Sequence, residues 1–356
     1  MLYYLFILCK FMSIKKYKHQ FYDKTSLDML VSHLDNVSLW QTKEWQQMVI
    51  NAGDTTSDSA ILVSEWSGNQ IWSALQIRRV GLGQYGWFVI GGPIVIWNDD
   101  ELFTEHMKEL QSWSLKHGLI FLSFEPLEWK VEDILLKQKN VKKWFWKKFI
   151  EPYTRIIRLD QSYDKILMDM HEKGRYNIRL GEKRGVTVSN NSFSEENIDS
   201  FYDLLKDTAK RDGFAINSRS TFESLVSLQS DMIEVRLFEA RHPLYIDPIA
   251  SSLYIACGDM AYYYYGASVG DSEAKKLMAS FVIQWAMIQY AGETGRKVYD
   301  FLGVAPEDKK KHHLAGVTYF KSRFGGEVVK FPNGCILVLS WKYYLLWIVR
   351  WVRFWR

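Results

Sequence analysis

Residues 262–304 read YYYYGASVGDSEAKKLMASFVIQWAMIQYAGETGRKVYDFLGV, and the fold turns on how this stretch divides. The tyrosine run predicts a strand. Leu277, Met278, Phe281, Val282, Trp285, Ala286 and Ile288 then recur with a period near 3.6, which predicts one helix over 272–291 that stops near Gly295. KVYDFLG reads as a strand again. Upstream, strands around 233–240 and 249–257 complete an antiparallel meander followed by helix and strand.

The same order occurs earlier in the chain. SAILVSEW, NQIWSALQIRRV and YGWFVIGGPIVIW, between residues 57 and 97, are separated by short turns and predict a three-strand meander. A helix over 99–117 starts at Asp99 and stops at Gly118, and GLIFLSFEP follows as a strand. One α+β module is therefore present twice. Its order is that of the acyl-CoA N-acyltransferase (GNAT)-like fold, so the expected class is α+β, a tandem duplication of that domain. The expected division is 12–153 for the first domain, completed by 333–356, and 154–332 for the second, with Pro152 and Tyr153 at the boundary.

Length and composition agree with two domains. The 356 residues exceed the roughly 250–300 at which one core stops growing. Forty-five basic against 41 acidic residues give only +4, too little to argue for a polyanionic partner without knowing where the charges sit. Cys9, Cys257 and Cys335 form no CxxC pair, which excludes a disulfide framework or a zinc site built from them and predicts a reducing, cytoplasmic setting. Aromatic residues make up 15% of the chain, with tryptophan concentrated at 144–146 and 341–355.

The ends bear on membranes. MLYYLFILC, residues 1–9, is far shorter than the roughly 20 apolar residues of a span, and Met12 is an alternative start. From Trp341 onward there are four cations and no acid, and on a helix Lys342, Arg350, Arg353 and Arg356 fall on one stripe beside aromatic and aliphatic residues. That pattern predicts a helix lying in a headgroup layer; packing on its own domain is the alternative.

Motifs for chemistry are sparse. Arg78, Gly81 and Gly83 fit the R-x-x-G-x-G loop that cradles coenzyme A, but a strand follows instead of a helix N-terminus, so a hairpin turn is predicted. The second module has Asp271 and Glu273 at the corresponding place and no glycine-rich loop. No HExxH or GxSxG occurs, so no metal is expected. The helix 171–184 carries Lys173, Arg175, Arg179, Lys183 and Arg184, a solvated face or a phosphate-contacting one, and KKWFWKK at 142–148 mixes cations with rings.

Six strings, YTRIIRLD, GRYNIRLGEKRGV, TAKRDGF, YYYYGAS, QWAMIQYAGETGRKVYDFLGV and YFKSRFGGE, occur in an order that resembles the Fem-type aminoacyltransferases, enzymes that build the peptide cross-bridges of peptidoglycan. The resemblance covers roughly residues 38–332. It implies two acyltransferase-type domains, an aminoacyl-tRNA donor, a stem-peptide amine of a peptidoglycan precursor (lipid II or UDP-MurNAc-pentapeptide) as acceptor, and no cofactor. Lys321, preceded by Phe320, matches the family's F-K-x-x-F-G lysine, and a fixed ammonium there would stabilise the oxyanion of acyl transfer. The resemblance also points to Lys43, Trp45 and Arg219 as precursor contacts and to Tyr263 and Tyr265, on one strand face, as cleft residues. It further implies a monomer at the inner membrane surface.

Two departures stand out. Gly92-Pro93 is followed by Ile94, Val95 and Ile96 where some members carry a carboxylate, and no heptad run of a coiled-coil arm lies between 196 and 260, so the chain resembles the armless type. An acyl-CoA-dependent N-acyltransferase acting on exopolysaccharide or a lipid-linked sugar is the alternative enzyme, and a catalytically silent recruiter of tRNA or precursor the alternative from another class.

Overall fold

A computed structural model describes residues 17–23, 26, 38–53, 56–95, 99–143, 148–309 and 311–354. The expectations for residues 1–12, for Trp144 and Trp146, and for the side chains of Arg353 and Arg356 lie outside the described residues.

The first half begins with β1 (Lys18–Asp23), a 3-10 turn at Leu39–Gln41 and α1 (Lys43–Ala52). The meander follows as β2 (Thr56–Trp66), β3 (Asn69–Gly81) and β4 (Gln84–Ile90). The third predicted strand is shorter than expected: Gly91-Gly92-Pro93 breaks it, and β5 (Ile94–Val95) turns back to pair with β3. The R-x-x-G-x-G string is the β3–β4 hairpin turn, with Gly81, Leu82 and Gly83 all at positive φ. Next come α2 (Asp100–Lys116), β6 (Phe121–Glu125), α3 (Trp129–Lys137) and β7 (Val141–Lys142). Asp99 caps α2 by accepting from the Glu101 and Leu102 amides.

The second half opens with β8 (Tyr153–Arg158), α4 (Tyr163–Asp169), α5 (Glu172–Lys183), β9 (Thr187–Ser192), α6 (Glu195–Asp212) and α7 (Arg219–Val226). Its meander is β10 (Ile233–Arg241), β11 (Ala250–Cys257) and β12 (Met260–Ser268). The predicted helix over 272–291 is two helices, α8 (Ser272–Lys276) and α9 (Ala279–Glu293), because Met278 adopts a left-handed φ of 57°. The break is supported from outside: Arg184 donates to the Lys276 carbonyl, and Gly181 of α5 approaches the Leu277 carbonyl so closely that a Cβ would stand 2.9 Å from it. Then follow β13 (Val298–Gly303), α10 (Ala315–Lys321), β14 (Glu327–Lys330), β15 (Cys335–Val338) and α11 (Lys342–Phe354).

Two sheets result, ordered β1-β2-β3-β4-β6-β15-β7 and β14-β8-β13-β12-β11-β10-β9. In each, the meander's last strand runs parallel to the strand that follows the helix, β4 to β6 and β12 to β13. The chain returns at its end, since β15 pairs with β6 and β7 of the first sheet.

Packing does not follow the sequence order throughout. Leu39, Trp45 and Met48 join the core that contains Phe222, Leu225 and Leu253 of the second half. Gln41 is tied the other way, donating to the Ile90 carbonyl at 2.7 Å and accepting from the Ala74 amide at 2.8 Å. The segment around α1 therefore straddles both halves. Among the described residues no helix is long and apolar enough to cross a membrane.

Candidate active site

β12 and β13 pair as parallel neighbours only through Met260↔Val298, Ala261↔Tyr299 and Tyr262↔Asp300, after which they part. Past that point β13 bulges against β8, and Leu302 sits at a φ of 58°, a conformation an aliphatic side chain adopts only when its surroundings impose it. The imposing group is Asp300. Its Oδ1 accepts from the Leu302 amide at 2.7 Å and from the Thr154 hydroxyl across the β8 side.

This bend turns two carbonyls toward one point. Lys321, the last residue of α10, donates to the Gly303 carbonyl at 2.7 Å and the Leu302 carbonyl at 3.3 Å, and its Nζ stands 5.9 Å from the centre of the Tyr263 ring. Lys321 is only 6% exposed. Burial pushes its ammonium down to about 8, opposed by the charges of Asp300 and Glu151. Burial likewise pushes Asp300 up to about 6, against the Thr154 and Leu302 hydrogen bonds and the Lys321 charge. Two ammonium protons are held by carbonyls, and among the described residues no further acceptor takes the third.

Phe320, the residue before this lysine, packs edge-on to Phe281 at 5.2 Å and Phe324 at 5.3 Å. Tyr263 lies along the strand over Gly266, where any Cβ would overlap its hydroxyl. A hydrogen bond with Ser252 partly offsets the burial that pushes the Tyr263 phenol up to about 12.

Tyr265 is not on the same face, which corrects the expectation from strand alternation. The register slips between Leu253 and Tyr254, leaving Tyr264 as an extra residue. Tyr263 therefore packs with the core under α9, whereas Tyr265 packs on Phe222 at 5.1 Å and accepts from Asn217 Nδ2 at 3.1 Å on the opposite side of the sheet. The slip also sorts the predicted residues into two groups. Lys321 and Tyr263 meet at the strand gap, and Phe320 joins the same core as Tyr263. Lys43, Trp45, Arg219 and Tyr265 belong to the other side, where α1 packs on α7: Ser220 Oγ, next to Arg219, donates to the Ala52 carbonyl at 3.2 Å, at the end of α1 away from Lys43.

Within that second group the side chains differ. Trp45 is buried, edge-on to Tyr264 at 6.0 Å, and its amide donates to the Thr42 cap. Lys43 is the first residue of α1 and half-buried. Arg219 is held in surface ion pairs with Asp199, at 2.7 Å, and Glu223.

A cleft of about 460 Å³ separates the halves. Trp40, Pro93 and Ile94 line it from the first, Asp259, Tyr262 and Asp300 from the second. Asp300 thus belongs both to the cleft and to the frame that holds Lys321. Sequence reading missed it, although an acid inside the apolar run VYDFLG is a signal. The same signal, in FLSFE, marks Glu125, which occupies the matching last pair of the first sheet, Ile90↔Glu125. Glu125 is pushed up to about 7 by burial and accepts from the Phe149 and Ile150 amides. The nearby Lys148 donates to the Pro332 carbonyl at 3.1 Å.

A buried ammonium beside a strand gap can stabilise negative charge developing on a carbonyl oxygen or a departing alkoxide. Among the described residues no cluster of metal-ligating side chains is present. Comparison with known proteins identifies the family and the fold. The FemAB family's sequence profile matches residues 152–247 and 227–345, together more than half of the chain. The lipid II:glycine glycyltransferase of Staphylococcus aureus is 24% identical, with 53% of this chain and 59% of that protein covered, so the chain spans under two thirds of the curated relatives it matches. The crystal structure of FemX superposes with a TM-score of 0.79 at 18% identity, covering 92% of this chain and 99% of the other. A tandem GNAT protein from the clavulanic acid biosynthesis pathway gives 0.50 at 9% identity, covering 91% and 99%. The fold is therefore a duplicated GNAT-like domain.

Proposed function

The chain belongs to the FemAB family, and from that premise we propose that it transfers an amino acid from aminoacyl-tRNA to the stem-peptide amine of a peptidoglycan precursor. The observation that carries this reading is Lys321, buried in the gap between β12 and β13 with two protons on strand carbonyls and one free for a ligand. The neutral amine attacks the ester carbonyl, a C–N bond forms as the C–O bond to the ribose breaks, and one proton passes from the nitrogen to the departing ribose oxygen. Lys321 stabilises the oxyanion, and Phe320 and Tyr263 exclude water around it. Asp300 is a positioning residue, since it bends β13 so that both carbonyls face the ammonium. The step needs no metal or coenzyme.

The polyanionic partners have matching surfaces. Lys173, Arg179 and Lys183 are exposed on α5 and suit tRNA phosphates, whereas Arg175 is spent on the carbonyls that end α4. Arg219 suits the precursor diphosphate, exchanging its carboxylate partners for phosphate, and Lys43, at the other end of α1, suits a second polar group of the precursor. The reading places the protein in the cytoplasm as a monomer, where charged tRNA is found.

An acyl-CoA donor fits less well. The first half's glycines form a hairpin turn, and in the second half the Asp271 carboxylate caps α8, accepting from the Ala274 amide at 2.8 Å, where a pyrophosphate would need that helix end. The deciding experiment offers a mixture of charged tRNAs with lipid-linked and nucleotide-linked precursor and weighs the product. An added aminoacyl residue is expected. Lys321→Ala should lower transfer by about 100-fold or more with the fold intact; wild-type rates in that variant would remove the lysine from the chemistry, and acyl transfer from acyl-CoA alone would replace the whole reading.

A further inference from the structure

α11 is buried on one side only. Tyr343 and Leu346 pack on Phe88, Phe121 and Ile336 of the first sheet, while Trp341 (67%), Tyr344, Leu345, Trp347 and Ile348 (51%) are exposed. At about 100° per residue, Trp341, Tyr344, Leu345 and Ile348 fall within an arc of about 100° facing away from the sheet. This side of the helix is apolar and aromatic.

The patch is not confined to the helix. The β3–β4 turn packs beside it, a Cβ on Gly81 standing 3.6 Å from Leu346 Cδ2, and presents Leu82 at 68% exposure. Tyr85, also exposed, is linked to the helix entry through Ile120, whose amide donates to the Tyr85 carbonyl and whose carbonyl accepts from Leu339 and Ser340. Segments more than 250 residues apart thus present apolar side chains on one surface, more than scattered exposed residues account for.

Cations frame it. Lys142 of β7 lies over the Tyr344 ring at 5.9 Å on one flank, Lys342 is exposed on the other, and the exposed Arg79 stands opposite Tyr85 in the hairpin. The helix itself contains no acid. Its 13 residues measure about 20 Å, short of the roughly 30 Å of a bilayer core, so it suits lying in the interface and not spanning it.

We infer that α11 and the β3–β4 turn together form a docking surface for an anionic lipid bilayer. The apolar arc enters the acyl boundary, the tryptophans sit at headgroup level, and the flanking lysines meet lipid phosphates. The inference rests on the proposed transfer only for what the membrane would offer, a lipid-linked acceptor.

The test is co-sedimentation of the full chain with vesicles of phosphatidylglycerol and phosphatidylcholine against phosphatidylcholine alone, without substrate. Binding is expected to the anionic vesicles, weakened by added salt. Leu345→Glu with Ile348→Glu, and separately Leu82→Asp, should each reduce partitioning by about tenfold or more at an unchanged melting temperature. Transfer to a water-soluble precursor should be unchanged in these variants, which separates failure here from failure of the transfer reading. Equal binding to both vesicle types, or wild-type binding by the variants, overturns the inference. So does loss of binding on removing residues 1–16 while the α11 variants stay silent, or a dimer that those variants dissociate without effect on vesicles.

Discussion

Between about pH 6 and pH 8 the Asp300 carboxylate and the Lys321 ammonium are both ionised, and outside that window one of them is not. Transfer should therefore rise as the pH climbs through about 6 and fall as it passes about 8, a bell set by a buried acid and a buried cation. Asp300→Asn keeps an acceptor for the Leu302 amide but removes the charge that holds the lysine up. The alkaline limb should then move to lower pH and the acid limb disappear, read in single-turnover transfer corrected for ester hydrolysis. An unchanged profile would reduce Asp300 to a structural residue. Lys321 and Phe320 were nameable as candidates because a contiguous string carries them, and the burial of Lys321 on strand carbonyls was not legible. Asp300 was not, since its importance arises from a bend in β13 that strand periodicity does not encode, and Tyr265 was placed on the wrong face because one extra residue in β12 inverts the alternation.

At the scale of elements, α2 is fastened to the first sheet by a buried imidazole. His106 lies between the Ser64 and Ser73 hydroxyls at 2.7 and 2.8 Å, and burial pushes its pKa down to about 3. The unfolded chain takes up a proton below about 6.5 that the fold refuses, so the stability held by the neutral ring is present above pH 6.5 and is lost as the pH falls toward 3, on the order of 5 kcal/mol. Urea titrations across that range should show His106→Gln less stable than wild type at pH 7 and less sensitive to acid. Glycines fasten α5 by proximity instead. A Cβ on Gly174 would overlap the Arg323 carbonyl, in the turn directly after Lys321. Gly174→Ala should cost about 2–3 kcal/mol and lower transfer by shifting that turn, whereas Gly316→Ala, open on α10, should stabilise slightly. Comparable losses at both positions would discard the close-approach explanation. The meander, the hairpin turn and the cap at Asp99 follow from local chemistry and were legible. The break at Met278 was not, because Gly181 and Arg184 impose it from another helix.

At the scale of the molecule, the duplication was legible as a repeated order of elements, but the two halves have diverged in what they hold at the matching gap. Both bury an acid at the last parallel pair, and in the second a lysine, Lys321, is set on strand carbonyls beside it. The strap of residues 38–53 keeps them in register. Trp40 meets Tyr262 edge-on at 5.5 Å, while Gln41 is bonded into the first sheet. The cleft beneath this strap reaches Asp300 and offers mixed apolar and charged walls, which suits a peptide carrying an amine toward the lysine. Filling it from the first half, by Ile94→Trp at a partly buried position, leaves the second half's lysine frame untouched. That variant should raise the KM for precursor by about tenfold with little change in the affinity for charged tRNA. A fall in tRNA binding at constant precursor KM would assign the cleft to the acceptor end of the tRNA, and the stem peptide would then have to approach Lys321 from the opposite face of β12, past Tyr263.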